Sequence, residues 1–131
     1  MATLPLISDQ QASAEVLAVF DDIRAVRGRD FINNFWRALA NDPALLSATW
    51  ERLKEVMGPG ELDPLVKEML YIAVSVTNGC EYCIHSHTAA ANARGMTLAQ
   101  HAELMSVIGM AMQTNGLATA MQVPVDEAFK V

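Results

Sequence analysis

The stretch DPLVKEMLYIAVSVTNG, Asp63 to Gly79, decides what kind of fold this chain adopts. Its apolar residues run almost all the way round a helical projection, clearly broken only by Lys67, whereas the shorter run YIAVSV also suits a buried strand. Length and punctuation favour the helix. Asp63 is an N-cap residue, Pro64 is pre-set for a first helical turn, and Asn78-Gly79 is a stop signal. The segment Pro64 to Thr77 is therefore predicted to be a buried central helix.

The same punctuation recurs on both sides. Ser13 is placed to cap a helix through about Arg27, whose apolar stripe is Val16, Leu17, Phe20 and Ile23 and whose end is marked by Gly28. A second helix is predicted from about Phe31 to Ala40, and a third from the Asp42-Pro43 start to Gly58. Downstream, a fifth runs from about Cys80 to Arg94 before Gly95. Thr97 and Gln100 form a capping-box start for a sixth, which covers at least His101 to Gln113 and restarts or kinks at Asn115-Gly116 before Pro124. No other segment alternates as a half-buried strand does. The predicted class is all-α, about six helices in a single domain spanning residues 1–131.

Directly after the central helix comes CEYCIHSH, Cys80 to His87, which holds the only cysteines in the chain. Along a helix Cys80, Cys83 and His87 share one face, and His85, Glu81 and Tyr82 project from the other. A helix N-terminus stabilises thiolate, and a nearby imidazole accepts its proton, so the arrangement suits a reactive thiol. Other readings of the same residues remain open. The cysteines can be small packing residues, or Cys80, Cys83 and His87 can bind zinc with Glu68 as fourth ligand. Covalent haem is excluded, because Ile84 stands where C-x-x-C-H requires histidine.

Glu68 is the second anomaly, a carboxylate on an otherwise apolar helix that needs a partner if buried. In a tight antiparallel pair of the helices flanking Asn78-Gly79, side chains leaning toward their helix N-termini bring His87 back toward Glu68. The predicted chain is Glu68 to His87 to Cys83, a carboxylate orienting an imidazole that serves a thiol. A splayed pair would break it. Ser75, on the face of Glu68, is expected to hydrogen-bond its own helix, and Trp36 and Trp50 to anchor the helical core or a subunit contact.

The pattern E-x11-C-x2-C-x3-H, formed by Glu68, Cys80, Cys83 and His87, resembles the signature of the alkylhydroperoxidase AhpD-like branch of the carboxymuconolactone decarboxylase family. The likeness covers about Leu62 to Gly95, and FINNFWRALANDPALLSATWERLKEVMGPG, Phe31 to Gly60, is similar to the helices that precede that core in related members. The resemblance implies an all-helical homo-oligomer, a trimer or hexamer, that reduces organic hydroperoxides without a cofactor. It further implies that Cys83 attacks the peroxide, Cys80 resolves the sulfenic acid as a disulfide, Glu68 and His87 relay protons, and a dithiol donor such as a lipoylated protein restores the pair. Lactone decarboxylation is not expected, since the decarboxylases of the wider family lack the CxxC pair.

Composition bounds the partners. Apolar residues make up 52% of the 131 and charged residues 18%, more apolar surface than a single core of this size hides readily, which points to self-association. A formal net charge of −6 without a basic cluster argues against nucleic acid and anionic membranes. The longest apolar run is too short to span a bilayer and the first residues lack a signal-peptide pattern, so a cytoplasmic protein is expected. Two cysteines in a reducing compartment are more readily redox-active or metal-binding than structural. The competing expectation to an enzyme is a non-catalytic or zinc-stabilised helical oligomer that binds a small molecule.

Overall fold

A computed structural model describes residues 1–130 and contains, among them, six α-helices, one 3₁₀ turn and no strand. In chain order these are α1 (Ala14–Arg27), α2 (Asn34–Leu39), α3 (Pro43–Met57), α4 (Pro64–Thr77), α5 (Glu81–Ala93) and α6 (Leu98–Ala120), followed by the turn Glu127–Phe129. They fall into two compact units, Met1–Gly58 and Pro59–Val131.

In the first unit the predicted caps do what their chemistry allows. Ser13 Oγ accepts from Val16 N–H and an Asp42 carboxylate oxygen accepts from Leu45 N–H, satisfying donors that each first turn leaves unpaired. Gly28, at φ 62°, takes the left-handed conformation that ends α1. The core is Val16, Phe20, Ile23, Ile32, Trp36, Ala40, Leu46 and Trp50. The Trp36 and Trp50 rings meet edge to face at 5.4 Å, and the Arg27 guanidinium stands 5.6 Å from the centroid of each. Both tryptophans are thus core anchors.

The second helix begins later than its pattern suggests. Ile32 is buried in the irregular segment before α2 and Asn33 caps α2 with its backbone in the β region, while its side-chain oxygen accepts from Arg27. Burying Ile32 outside the helix displaces the helix start from Phe31 to Asn34.

In the second unit, α4 packs along α5, and α6 joins them through Leu104 and Ile108. The ambiguous stretch is helical, and Asp63 caps it by accepting from Leu65 N–H. It buries one face only. Glu68, Ile72 and Ser75 are covered, whereas Val66, Leu70 and Val74 on the other side are exposed, so the expectation of a buried central helix is corrected to a half-buried one.

The long α6 departs from its expectation too. Thr97 and Gln100 form the predicted capping box, but the helix passes through Asn115-Gly116 without a break to Ala120. A glycine inside a helix costs about 1 kcal/mol, and the good helix formers Met110 to Gln113 on one side and Leu117, Ala118 and Ala120 on the other outweigh it. Gly116 is not among the glycines with positive φ; the stop comes instead at Met121, before Gln122 at φ 50°.

Candidate active site

The turn between α4 and α5 sets the geometry. Gly79 adopts φ 66°, and two backbone bonds, Cys80 N–H to Ser75 O at 3.0 Å and Gly79 N–H to Val76 O at 3.1 Å, close a Schellman motif on the end of α4. Glycine is required at the left-handed position because a Cβ there would be strained. The turn leaves no spare residue. Cys80, the first residue after Gly79, is already the N-cap of α5, and its sulfur accepts from Cys83 N–H at 3.2 Å.

Cys80 therefore stands at the head of α5 rather than within it, and Cys83 sits in the first turn. The two are joined as a disulfide, with Cα atoms 5.3 Å apart. Both side chains lie where the helix dipole and free N–H groups favour negative sulfur once the bond is reduced. His87 follows one turn beyond Cys83 on the same helix. His85, by contrast, is exposed on the outward side with Glu81 and Tyr82.

From α4, Glu68 reaches across to this face. It is 4% exposed, and its Oε2 lies 2.7 Å from His87 Nδ1. A carboxylate oxygen only accepts, so Nδ1 carries the hydrogen and Nε2 is the nitrogen left for proton exchange. The other carboxylate oxygen, Oε1, accepts from Arg94 Nε at 3.4 Å. Ionic and hydrogen-bonding partners at both oxygens account for a charge buried at this depth.

One further side chain packs against His87. The Tyr71 ring stacks on the imidazole, centroids 3.6 Å apart and planes inclined by 18°. Ser75 Oγ donates to Tyr71 O at 2.6 Å, the local helix bond expected of it. Tyr71 lies three residues after Glu68, on the same side of α4, so the two reach the imidazole from successive turns of one helix.

The four residues singled out from the sequence thus occupy adjoining positions on α4 and α5. Glu68 and His87 are in direct contact, Cys80 and Cys83 are bonded to each other, and Cys83 and His87 are one turn apart on α5. Sequence reasoning missed Tyr71 and Arg94. Tyr71 was visible as an aromatic one turn from Glu68, but Arg94 gave no signal beyond its charge near the end of a helix. Among the described residues no group of three or more His, Cys, Asp or Glu side chains is placed to hold a metal ion.

Comparison with known proteins agrees with this architecture. The crystal structure of the alkylhydroperoxidase AhpD core from Rhodospirillum rubrum superposes with a TM-score of 0.97 at 66% identity, covering 100% of this chain and 98% of that one. An uncharacterized protein of Cupriavidus necator is 34% identical over 77 residues, which is 58% of this chain and 68% of that protein. The family model for the carboxymuconolactone decarboxylase family matches residues 43–126. With most of its length inside that match and its helices superposing on an AhpD core, the chain belongs to the carboxymuconolactone decarboxylase family as an AhpD-like member.

Proposed function

We propose that the protein is a thiol-dependent alkyl hydroperoxidase in which Cys83 is the attacking thiol, Cys80 the resolving one, and Glu68 and His87 the proton relay. The observation that carries this reading is the buried Glu68 to His87 Nδ1 contact of 2.7 Å, set one helical turn from a cysteine pair in disulfide form. The alkylhydroperoxidase name of the Rhodospirillum rubrum relative supports it.

The chemistry balances in three steps. His87 Nε2 takes the Cys83 proton, and the thiolate attacks the terminal oxygen of the hydroperoxide. The O–O bond breaks, Cys83 becomes a sulfenic acid, and the departing alkoxide takes the proton back from His87 and leaves as an alcohol. Cys80 then attacks the Cys83 sulfur, forming the disulfide and releasing water that carries the Cys80 proton. A dithiol donor, such as a lipoylated protein, exchanges with the disulfide, becoming oxidised as both cysteines return to thiols.

Throughout, Glu68 keeps Nδ1 protonated and balances the imidazolium as it forms, a role in which positioned acid-base groups contribute about 10²- to 10⁴-fold. A homo-oligomer, as trimer or hexamer, belongs to the same reading, supported by the exposed apolar residues Val66, Leu70 and Val74 on α4 and Val107, Met110 and Met112 on α6.

The test is a thiol count before and after one equivalent of an organic hydroperoxide. Wild-type protein loses both thiols; Cys83→Ser consumes no peroxide; Cys80→Ser consumes one equivalent and accumulates a sulfenic acid on Cys83 that a dimedone probe captures. Survival of both wild-type thiols would defeat the proposal.

A further inference from the structure

A hydrogen bond through one ring nitrogen fixes where an imidazole is held but leaves it a degree of freedom. The ring can still tip about the line joining Nδ1 to the carboxylate, and tipping swings Nε2 away from whatever it serves. In this chain the second restraint comes from Tyr71. Its ring lies on the face of His87 at 3.6 Å between centroids and 18° between planes, so a tip toward Tyr71 drives the imidazole into the phenol ring. Glu68 holds His87 at its edge, and Tyr71 bounds it on one face. Both restraints come from one side of α4, and the Tyr71 backbone is itself bonded by Ser75 Oγ at 2.6 Å.

The same contact bears on charge. An aromatic face carries the negative part of the ring's quadrupole, and a cation set over it is attracted. Once His87 has taken a proton from a thiol it is such a cation, held between the Glu68 carboxylate at its edge and the Tyr71 ring on its face.

We infer that Tyr71 is a positioning residue for Cys83 reactivity, acting through the face of His87. The inference rests on the thiol, imidazole and carboxylate part of the proposed function, but not on a hydroperoxide being the substrate. What it needs is the aromatic ring, not the phenol hydroxyl.

The experiment is alkylation of Cys83 by iodoacetamide in reduced Cys80→Ser protein, in which serine keeps an N-cap on α5. Alongside it run Tyr71→Phe and Tyr71→Leu, each with His87 present and with His87→Gln. With His87 present, Tyr71→Leu slows alkylation about fivefold, the middle of the range an aromatic pair supplies, while Tyr71→Phe stays within about twofold of the parent. In the His87→Gln background Tyr71→Leu has no further effect, because the residue it acts through is gone. Tyr71→Met replaces Tyr71→Leu if the latter does not fold, and melting curves confirm that each variant tested is native.

An equal slowing by Tyr71→Leu in both backgrounds, no slowing in either, or a Phe variant as slow as the Leu one overturns the inference. Consumption of tert-butyl hydroperoxide by the same proteins with Cys80 restored separates the two readings. If the wild type consumes none while alkylation follows the expected pattern, the peroxidase reading falls and the role of Tyr71 stands. If peroxide is consumed but alkylation ignores Tyr71, the role of Tyr71 alone falls.

Discussion

Both tryptophans and most of the ion pairs among the described residues lie in Met1–Gly58, whereas both cysteines and all three histidines follow Pro59. The first unit packs Phe20, Ile23 and Leu46 with no exposure at all and clamps its surface with Arg24 and Arg37 on Asp9, and with Trp50 and Lys54 on Asp22. The second unit places two polar groups, Glu68 and Ser75, in its small core and leaves Met110, Leu117, Met121 and Phe129 exposed. One region is arranged for stability. The other gives up buried apolar volume to hold a carboxylate beside an imidazole, the kind of local departure from good packing that functional sites show.

That contrast is open to attack, and the largest expected effect lies in the unit without the chemistry. Phe20→Ala opens a cavity in a fully buried aromatic site and costs about 3–5 kcal/mol. Denaturant unfolding followed by Trp36 and Trp50 fluorescence reads the loss, while Cys83 alkylation under native conditions stays within about twofold. A comparable loss of thiol reactivity would show that the two regions do not divide the work.

The converse change sharpens the same point. Glu68→Gln keeps the volume and one hydrogen-bond acceptor but removes the charge that balances imidazolium, so peroxide consumption slows about 10²-fold with little change in midpoint temperature. An unchanged rate removes Glu68 from the relay. Arg94→Gln is milder. It takes away a 3.4 Å bond from a side chain that is 42% exposed, and single-turnover rates fall about threefold, the scale of one modest hydrogen bond.

Acid gives the smallest effect and the opposite regional pattern. Hydrogen bonds from Arg24 and Arg37 hold the Asp9 carboxyl below the ordinary carboxylate range, and those from Lys54 and Trp50 do the same for Asp22. A carboxylate lowered on folding stabilises the native state above its unfolded value and loses that contribution as pH falls through its folded one. Stability of the first unit therefore declines below about pH 4, and because both groups are substantially solvated the drop is only about 2–5 °C. Thermal melts at pH 5 and pH 3 by tryptophan fluorescence check it, and Asp9→Asn combined with Asp22→Asn should flatten the difference.

How much of this was legible in the sequence depended on whether the deciding interactions were local. Ser13, Asp42, Asp63 and Thr97 cap the helices they mark, and Gly28 and Gly79 end α1 and α4, because caps and left-handed glycines act within a few residues of chain. The Glu68 to His87 contact was reachable because the pair brackets one tight turn. The start of α2 was not, since it depends on Ile32 finding a core built by α1 and α3. The continuity of α6 was misjudged because Asn115-Gly116 looks like a stop, yet the helix tolerates it. Arg94 lay beyond reach, and Tyr71 showed only as an aromatic one turn from Glu68, because their roles depend on a ring plane and a side-chain path that periodicity does not encode.

The turn at Asn78-Gly79 makes the interval between Glu68 and Cys80 a ruler. Its length counts out the remaining turns of α4, one left-handed residue and the head of α5, with nothing slack between them. Adding one residue there would advance the phase of α5 by about 100° and carry His87 off the bearing of Glu68. The spacing E-x11-C is thus a mechanical tolerance as much as a signature, and this stretch should accept substitutions at many positions far more readily than it accepts a change in length.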